Sequence, residues 1–461
     1  MDLWVGPRRR KSGVHPPGRK EMTAEKPLRR MAAPERVILP LQQHLGAPNQ
    51  PVVKVGQEIF VGTLLGESDS FVSAPVHSSV SGKVFRIDMH LTPQGKSQLC
   101  VFLENDGKDE PDPGLSPPGD WREMGREEIR AAVKRAGMVG LGGATFPTHV
   151  KLSPPSEHPI EYAILNGAEC EPYLNSDYRL MVEEPGAVLE GLRIIMRAVG
   201  AERGIVAVED NKPRALEAMG ELVDGEELQV RMLPTRYPQG AEKVLIRTLL
   251  KREVPSGGLP MHVGVVVCNV GTAHAISRFF RTGMPLVERV VTVTGTPIRE
   301  PANLLVPLGT PFEAAIEECG GFSSPPGRVL MGGPMMGLAQ YDLRVPVLKA
   351  TSGIVALSLE EAGYQVPSEP VCIRCGRCVD SCPMGLVPTF LASCAHSGKL
   401  AELERLHVDD CIECGCCAYI CPTRNPLVQL IKLGKQERAE ARRRENAVQR
   451  APQEGGKSGG A

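Results

Sequence analysis

The strongest constraint on this chain is a cysteine pattern that occurs twice near its carboxyl end. Residues 372–383 read CIRCGRCVDSCP and residues 411–422 read CIECGCCAYICP, so each copy has the spacing C-x2-C-x2-C-x3-C-P. Ten of the 14 cysteines lie between Cys372 and Cys421, which indicates a small cysteine-rich module in a chain that is otherwise poor in cysteine. The proline after each fourth cysteine ends the short helical turn that precedes it.

Clustered cysteines form disulfides in exported proteins and bind metals in the cytosol. The first 20 residues, MDLWVGPRRRKSGVHPPGRK, are basic and contain neither an apolar core nor a small-residue cleavage site, so no signal for export is expected. Four thiolates could bind zinc. However, the spacing matches the bacterial ferredoxin pattern, in which three cysteines hold one cluster and the fourth reaches the other. The sequence therefore predicts two [4Fe-4S] clusters.

This cross-ligation assigns each cysteine to a cluster. One cluster is predicted to bind Cys372, Cys375, Cys378 and Cys421, and the other Cys382, Cys411, Cys414 and Cys417. Thiolates suit this task because soft sulfur ligands stabilise iron–sulfur clusters. Cys416 lies beside Cys417 and out of register, so we expect it to be a thiol that is not a ligand. Cys394 occurs in a helical stretch with apolar spacing and is predicted to pack in a core.

The length and charge of the chain limit what else it can be. A length of 461 residues is enough for about three domains. The net charge of −1 gives no basic field, so nucleic acid is not an expected partner. Residues 1–36 carry ten Lys or Arg against four acidic residues, and the tail 433–461 is also basic, so both are predicted to be disordered. Contact of these termini with an anionic membrane surface is a second interpretation. The sequence contains no run of eighteen apolar residues, so no transmembrane helix is predicted.

Two regions before the cysteine module have different periodicities. Residues 37–104 alternate β-branched residues with turn glycines, which resembles the barrel-sandwich of biotinyl and lipoyl domains. No lysine stands at the tip of a carrier-type hairpin, so a swinging cofactor arm is not expected. A linker rich in Pro, Gly and acids follows, and residues 120–285 then alternate strands with helices. This alternation predicts a parallel sheet that binds ligands at its carboxyl edge.

A glycine stretch lies in one loop of the α/β region. Gly140, Gly142 and Gly143 lack side chains that would keep the main-chain N–H groups away from a phosphate or a flat ring. Lys151 follows closely and could pair with a phosphate charge. From these residues alone, a simple turn and a cofactor cradle remain equally open.

The motifs GLGGATFPTHVKL and NGAECEP are similar to the flavin- and NADH-binding stretches of the flavoprotein subunit of respiratory complex I. YPQGAEKVLI, CNVGTAHAI and the two cysteine motifs follow in the same order. Together with the barrel-sandwich and the MGGPMMG stretch at residues 331–337, they resemble the RnfC (RsxC) family, the peripheral subunits of Rnf electron-transport complexes. The resemblance extends from about residue 35 to 435 and is specific, because several motifs occur in one order.

The resemblance implies a flavin mononucleotide (FMN) and NAD(H) site. The residues that it assigns to this pocket are Gly140, Gly142, Gly143, Lys151, Asn166, Glu169, Gly240, Glu242, Asn269 and Thr272. Asn166 and Glu169 are expected near the isoalloxazine and nicotinamide rings. Leu141 and Ala168 stand where complex I subunits usually have Arg and Asp. No residue is expected to act as a nucleophile.

The predicted fold is therefore multidomain α/β, with four folded parts. Its parts are a β barrel-sandwich, an α/β flavin and NADH domain, a β-grasp insert at residues 286–325 that resembles soluble-ligand-binding β-grasp domains, and an α-helical ferredoxin-like domain at residues 365–432 that holds the two clusters. In the Rnf family, electrons pass between NADH and ferredoxin, and this transfer is coupled to Na⁺ or H⁺ movement. The resemblance implies a peripheral subunit on the cytoplasmic side of the inner membrane. Its partners would be the other Rnf subunits and, indirectly, ferredoxin.

Two other functions remain open from the sequence. A cobalamin reductase of the propanediol microcompartment type shares the flavin motif and the clusters. An iron–sulfur relay without flavin would keep the cysteines and leave nucleotide chemistry to another protein, and the departures at Leu141 and Ala168 keep this alternative open.

Overall fold

The computed structural model describes residues 13–223, 225–363 and 371–450. Two compact units divide the chain: a larger unit, His15–Tyr364, and a smaller unit formed by Met1–Val14 and Gln365–Ala461. Among the described residues, no helix is both long enough and apolar enough to cross a bilayer.

The larger unit begins with two small antiparallel sheets that form the barrel-sandwich. Strand β1 (Leu28–Arg30) precedes them and belongs to a different sheet. The strands of the barrel-sandwich are β2 (Arg36–Pro40), β3 (Gln50–Pro51), β4 (Glu58–Ile59), β5 (Leu64–Glu67), β6 (Val76–His77), β7 (Gly82–Leu91) and β8 (Ser97–Asn105). One sheet has the order β2-β8-β7-β4 and the other β3-β5-β6. Alternate residues such as Val37, Leu39, Val101 and Leu103 are fully buried between them, as the period of two predicts.

A four-stranded parallel sheet, ordered β11-β10-β9-β12, forms the centre of the α/β region. The strands are β9 (Tyr162–Gly167), β10 (Arg203–Glu209), β11 (Leu228–Leu233) and β12 (Val265–Asn269). The helices are α1 (Arg126–Arg135), α2 (Thr148–Lys151), α3 (Ser176–Glu183), α4 (Pro185–Val199), α5 (Pro213–Gly220), α6 (Glu242–Leu250) and α7 (Val270–Thr282), with a 3₁₀ helix at Pro260–Val263. Both faces of the sheet are covered: Leu165 packs in the core with α4 and α7, whereas Ile164 faces α6. This explains why β9, β10 and β12 are largely apolar, whereas the edge strand β11 exposes Gln229 and Arg231.

The register of the parallel sheet places two predicted site residues side by side. Asn166 on β9 pairs with Asn269 on β12 and with Ala207 on β10. All three lie near the carboxyl ends of their strands, and the loops that follow these strands meet at one edge.

A six-stranded mixed sheet, ordered β1-β14-β13-β17-β15-β16, completes the larger unit. Its later elements are β13 (Glu288–Thr294), β14 (Ala302–Pro307), α8 (Phe312–Glu318), β15 (Arg328–Met331), β16 (Leu338–Gln340), β17 (Gly353–Leu357) and the short α9 (Leu359–Ala362). The sheet thus continues well beyond the predicted insert at 286–325.

The prediction that residues 1–36 are a disordered extension is wrong for the part that the structure describes, residues 13–36. Leu28, Arg29 and Arg30 form β1, which pairs in parallel with β14. The segment is ordered because it fills an edge of the six-stranded sheet and because Val14 and Met31 are buried. Residues 1–12 lie outside the described residues.

The described part of the smaller unit is helical. Its elements are α10 (Arg377–Ser381), α11 (Pro388–His396), α12 (Leu400–Arg405), a 3₁₀ helix at Val408–Asp410, α13 (Cys416–Tyr419) and α14 (Leu427–Arg450). Helix α14 packs along α11. The predicted disordered tail is therefore wrong for residues 433–450: Arg438 is buried and forms an ion pair with Glu404 at 2.9 Å. Residues 451–461 lie outside the described residues.

Candidate functional site

The glycine loop joins α1 to α2 at the carboxyl edge of the parallel sheet. The Gly140 N–H donates to the Phe146 carbonyl at 2.9 Å, and the Thr145 N–H donates to the Gly140 carbonyl at 3.2 Å, which closes the loop. Gly142 and Gly143 are exposed. Gly143 has φ of +119°, and no atom lies within 4 Å of the place where a Cβ would stand. The loop is therefore an open cradle whose main chain is accessible to a phosphate or a ring.

Thr272 and Asn269 fix this cradle to α7. The Thr272 Oγ1 accepts the Leu141 N–H at 2.9 Å and donates to the Val139 carbonyl at 3.3 Å. The Asn269 Oδ1 caps α7 by accepting the Gly271 N–H at 2.8 Å. Thr272 thus positions the glycine loop, whereas Asn269 fixes the start of α7.

Asn166 links the end of β9 to the loop before α6. Its Nδ2 donates to the Gly240 carbonyl at 2.8 Å, and its Oδ1 accepts the Ala168 N–H at 3.2 Å. A Cβ on Gly240 would lie 3.4 Å from the Asn166 Oδ1, at ordinary contact distance. The two predicted residues therefore lie together.

Lys151 and Glu242 form an ion pair between α2 and α6. The Lys151 Nζ lies 3.1 Å from the Glu242 Oε1 and donates to the Val267 carbonyl at 2.9 Å. Burial lowers the pKa of Lys151, but the negative charges around it and the hydrogen bond that it donates to Glu242 outweigh this effect, so the pKa is raised. Lys151 is therefore a cation held at this edge of the sheet by a carboxylate and a main-chain carbonyl.

The Glu169 carboxylate caps α3. Its Oε1 accepts the Ser176 hydroxyl at 3.1 Å and the Asp177 N–H at 2.8 Å, and its Oε2 accepts the Tyr178 N–H at 3.1 Å. A carboxylate at a helix N-terminus is stabilised by the N–H groups that have no partner inside the helix. The side chain predicted to lie near the rings thus holds a helix end in this structure.

Lys20 supports the loop that follows β9, a role that was not predicted from the sequence. Its ammonium group is buried beside the loop that follows β9, where the Nζ donates to the carbonyls of Glu169 at 3.0 Å, Glu171 at 3.0 Å and Leu174. Burial lowers its pKa to about 8. Its position in a basic amino-terminal segment suggested solvent exposure, and nothing in the local sequence marks it as a buried donor to main-chain carbonyls.

Glu171 holds the MGGPMMG stretch against the same loop. Its Oε2 accepts the Met335 N–H at 3.1 Å and its Oε1 accepts the Met336 N–H at 2.8 Å. Burial raises the pKa of Glu171 to about 7, although the two N–H donors oppose this effect. The six-stranded sheet is therefore tied to the edge that carries the glycine loop.

The cysteines of the smaller unit line two separate cavities. One cavity is lined by Cys372, Cys375, Cys378 and Cys421, and the other by Cys382, Cys411, Cys414 and Cys417. These are the two sets expected from cross-ligation, so the structure brings together each predicted group of four thiols. In the described residues, no three His, Cys, Asp or Glu side chains converge on one ion. A cubane does not require such convergence, because each thiolate binds a different iron.

The two cavities differ in exposure. Cys372 and Cys375 are exposed, whereas Cys414 and Cys417 are buried. Cys416 is buried and also lines the second cavity. Four soft thiols around one cavity are the donor set that an iron–sulfur cluster takes, so the residues present fit the predicted groups.

Donors surround the sulfur of Cys421. The Asn425 N–H donates to the Cys421 Sγ at 3.4 Å, and the Thr423 hydroxyl lies 3.5 Å from it. Burial raises the pKa of the Cys421 thiol, but these donors outweigh it and the pKa is lowered.

Comparison with protein-family models gives four matches in chain order. They are the RnfC barrel sandwich hybrid domain at residues 9–108, the Nuo51 FMN-binding domain at 133–278, the SLBB domain at 290–339 and the 4Fe-4S dicluster domain at 371–425.

Curated relatives match almost the whole chain. The C subunit of the proton-translocating ferredoxin:NAD(+) oxidoreductase complex of Clostridium ljungdahlii is 47% identical over 95% of this chain and 95% of its own length. The corresponding C subunit of the Na(+)-translocating complex of Acetobacterium woodii is 47% identical over 95% of this chain and 98% of its own. Among solved structures, an NAD+-reducing [NiFe]-hydrogenase is 20% identical, with a TM-score of 0.48 over 74% of this chain and 66% of that chain.

An FMN-binding domain and a dicluster domain in one chain define an electron-transfer flavoprotein with iron–sulfur clusters. The chain belongs to the RnfC family, the C subunits of ion-translocating oxidoreductase (Rnf) complexes. The matches to family models and relatives confirm the predicted family, fold class and cofactors. They favour neither the cobalamin reductase nor the iron–sulfur relay without flavin. The particular residues assigned to each cofactor stay a prediction.

Proposed function

We propose that this chain exchanges two electrons with NAD(H) at an FMN and passes them singly through two [4Fe-4S] clusters to other subunits of a membrane complex. That complex would couple electron transfer between NADH and ferredoxin to the movement of Na⁺ or H⁺. The observation that carries the proposal is the presence, in one chain, of a flavin-type glycine cradle and two four-thiol cavities. When bound, FMN supplies the step between hydride and single-electron transfer, because a nicotinamide gives a hydride and a cubane accepts one electron.

The residues at the sheet edge bind and orient the cofactors. The open main chain at Gly142 and Gly143 approaches the flavin or its phosphate, and Lys151 supplies a positive charge. Asn166 and Asn269 hold the loops that shape the pocket. These residues would position the nicotinamide against the flavin for hydride transfer, and no side chain would be needed as a nucleophile.

The cysteine sets hold the clusters in the assignment given above. Cys372 and Cys375 are exposed and Cys414 and Cys417 are buried, so the first set would hold its cluster nearer the surface than the second. Such a difference in exposure would give the two clusters different potentials.

The names of the relatives support the proposed partners, because each relative is one subunit of a larger complex. This chain would likewise be a peripheral subunit, and its place on the cytoplasmic side of the inner membrane is what the family resemblance implies. It would contact the other Rnf subunits and would reach ferredoxin only through them.

Anaerobic purification, cluster reconstitution and an NADH titration test this function. We expect about one FMN and about eight irons per chain, with NADH bleaching both the flavin and the cluster absorbance. Iron without flavin, together with spectra that do not respond to NADH, would contradict the proposal and support the relay. Co-purification with membrane subunits distinguishes the Rnf function from a cobalamin reductase.

A further inference from the structure

The two cysteine cavities of the smaller unit differ in the charge of the side chains around them. We call the cluster predicted at Cys372 and its three partner cysteines the first cluster, and the cluster predicted at Cys411 and its partners the second cluster. Arg374 and Arg377 line the first cavity, and among the described residues no acidic side chain lines it. Of the described side chains that line the second cavity, none is charged. The first cluster would therefore lie beside two cations, and the second would have apolar surroundings.

The repeated motif produces part of this difference at one equivalent position. Each copy has a single residue between the glycine and the third cysteine, which is Arg377 in the first copy and Cys416 in the second. Arg377 is exposed and begins α10, whereas Cys416 is fully buried and begins α13. Two copies of one motif thus place a cation at one cavity and a buried thiol at the other.

The lysines beside the second cavity share an acid. The Lys435 Nζ donates to the Cys411 carbonyl at 3.0 Å and to the Glu413 Oε1 at 2.5 Å. Lys432 lies 3.8 Å from the other oxygen of the same carboxylate. Within the described residues, neither Arg374 nor Arg377 forms an ion pair. Glu413 therefore offsets positive charge beside the second cavity, whereas no acid does so for the two arginines.

A sulfur of the first set also receives side-chain donors. The Asn425 Nδ2 donates to the Cys421 Sγ at 3.8 Å, in addition to the Asn425 N–H and the Thr423 hydroxyl described above. Net charge, hydrogen bonds to the sulfurs and exposure set the potential of a cluster. The reduced cluster carries one more negative charge than the oxidised cluster, so nearby cations and donors stabilise the reduced form and raise the potential. Apolar surroundings have the opposite effect, because charge is costly to bury there.

We propose that Arg374 and Arg377 make the first cluster the higher-potential cluster of the two, so that a single electron held by the smaller unit settles there. This inference rests on the proposed function, because it uses the two clusters assigned there. Cys372 and Cys375 are exposed, so the electron settles at the surface, where another subunit can reach it. The first cluster is therefore the point at which electrons pass between this chain and the rest of the complex.

Redox titrations followed by electron paramagnetic resonance test this order in the full-length, FMN- and cluster-loaded protein, with dithionite and mediators supplying the electrons. Cys411→Ser should lose the second cluster and so identifies the signal of the first. If that variant does not assemble, Cys372→Ser identifies the signal of the second cluster in the same way. In the wild type, we expect the first cluster to have the higher midpoint potential.

Substitutions of the arginines test their role. At a fixed potential, Arg377→Ala should lower the ratio of reduced to oxidised first cluster about three- to tenfold, which is about 28–59 mV for one electron, and should leave the second cluster unchanged. Arg374→Ala should act in the same direction. Arg377→Lys keeps the charge and should keep the wild-type midpoint. Arg405→Ala removes an exposed arginine that lines neither cavity and should change neither midpoint. All four variants should keep about eight irons.

Ionic strength separates an effect of charge from an effect of structure. Salt screens exposed charges, and the Debye length falls from about 30 Å at about 0.01 M to about 3 Å at about 1 M. The difference in midpoint between the wild type and Arg377→Ala should therefore shrink as salt is added. A difference caused by a distorted cavity would stay the same, and that result would overturn the proposal.

Other results would also overturn the inferred order. They are a first-cluster midpoint that equals or lies below that of the second in the wild type, an unchanged midpoint in Arg377→Ala, and an equal shift of both clusters in that variant. The measurement does not depend on NADH, because dithionite supplies the electrons. If NADH fails to bleach the flavin, but the first cluster has the higher midpoint and Arg377→Ala lowers it, the proposed function fails and the order of the two clusters still holds.

Discussion

At the two cysteine cavities, side chains from residues 372 to 421 face the space that a cofactor fills, whereas at the edge of the parallel sheet most polar side chains bind other parts of the chain. Thr272, Asn166 and Glu169 all hydrogen-bond to main-chain groups of neighbouring loops. We therefore expect a change at a cysteine to remove a predicted ligand directly. A change at the sheet edge displaces the main chain that forms the pocket.

The largest effect is expected at the cysteines. Cys372→Ser and Cys421→Ser should each abolish the same cluster and lower the iron content from about eight to about four per chain. Cys411→Ser and Cys382→Ser should abolish the other cluster. Iron assays with electron paramagnetic resonance of the reduced protein would identify which cluster is lost.

Cys394→Ser is the matched control, because Cys394 packs against the helices near the second cavity and lines neither cavity. It should keep about eight irons. If Cys421→Ser lost the cluster that is lost in Cys411→Ser, the cross-ligated assignment would be wrong.

Lys20→Met should have the next largest effect, at the other site. Methionine leaves the carbonyls of Glu169, Glu171 and Leu174 without the buried ammonium, and unsatisfied buried acceptors cost about 1–3 kcal/mol each, with partial relief from water. We expect the free energy of unfolding of the larger unit to fall by about 2–4 kcal/mol and FMN to be lost. Denaturant unfolding and flavin assays would measure both.

The iron content provides the contrast for this variant. Lys20→Met should lose FMN but retain about eight irons. The control Lys54→Met, at an exposed position, should retain both the irons and FMN. Full FMN content in Lys20→Met would show that the loop after β9 holds its shape without this lysine.

The same contrast explains which parts of the molecule could be predicted from sequence. The two sets of cysteines that line the two cavities follow from spacing within one short segment, and the parallel sheet follows from alternating strands and helices. The capping role of Glu169 depends on the helix start that lies next to it in space. Lys20 is far along the chain from the loop that it stabilises, and sequence charge alone indicated solvent.

The carboxyl-terminal helix shows how composition can mislead. Its basic residues suggested disorder, but Leu427 and Ile431 are buried four positions apart, and Arg438 pairs with acids of preceding helices. Apolar spacing at i and i+4 was the available signal. Charged partners from elsewhere in the chain could not be inferred from local composition.

A smaller effect is expected from Lys349, a second buried lysine that binds carbonyls. Its Nζ donates to Pro75 and Gly137, both at 2.7 Å, and burial lowers its pKa to about 7. The nearby His77 is neutral because burial lowers its pKa to about 3. In the unfolded chain the pKa of Lys349 is about 10.4. Between about pH 7 and about pH 10 the folded state therefore binds fewer protons than the unfolded state does.

Stability should therefore rise as pH increases from about 7 to about 10, with Lys349 contributing up to about 1.4 kcal/mol per pH unit. Urea unfolding at several pH values should show this slope in the wild type and a smaller one in Lys349→Met. An identical slope in the two proteins would mean that Lys349 is charged in the folded state. Unlike Lys20, Lys349 lies away from the loop after β9, so Lys349→Met should keep its FMN.

The smallest effect is expected at the ion pair of Lys151 and Glu242. Variants of this pair distinguish a side chain that supports the main chain from one that contacts a cofactor directly. Both side chains are about one-third exposed, and such pairs contribute about 0–1 kcal/mol. Glu242→Gln should therefore change the free energy of unfolding by less than about 1 kcal/mol and should leave kcat for NADH oxidation unchanged. Lys151→Met should weaken FMN binding more than Glu242→Gln does, because only Lys151 carries the charge that a phosphate needs. Flavin titrations of the apoprotein would compare the two variants. A fall in kcat of tenfold or more in Glu242→Gln would place this carboxylate among the groups that contact the reacting rings, and the sheet edge would then resemble the cysteine cavities in using side chains as direct ligands.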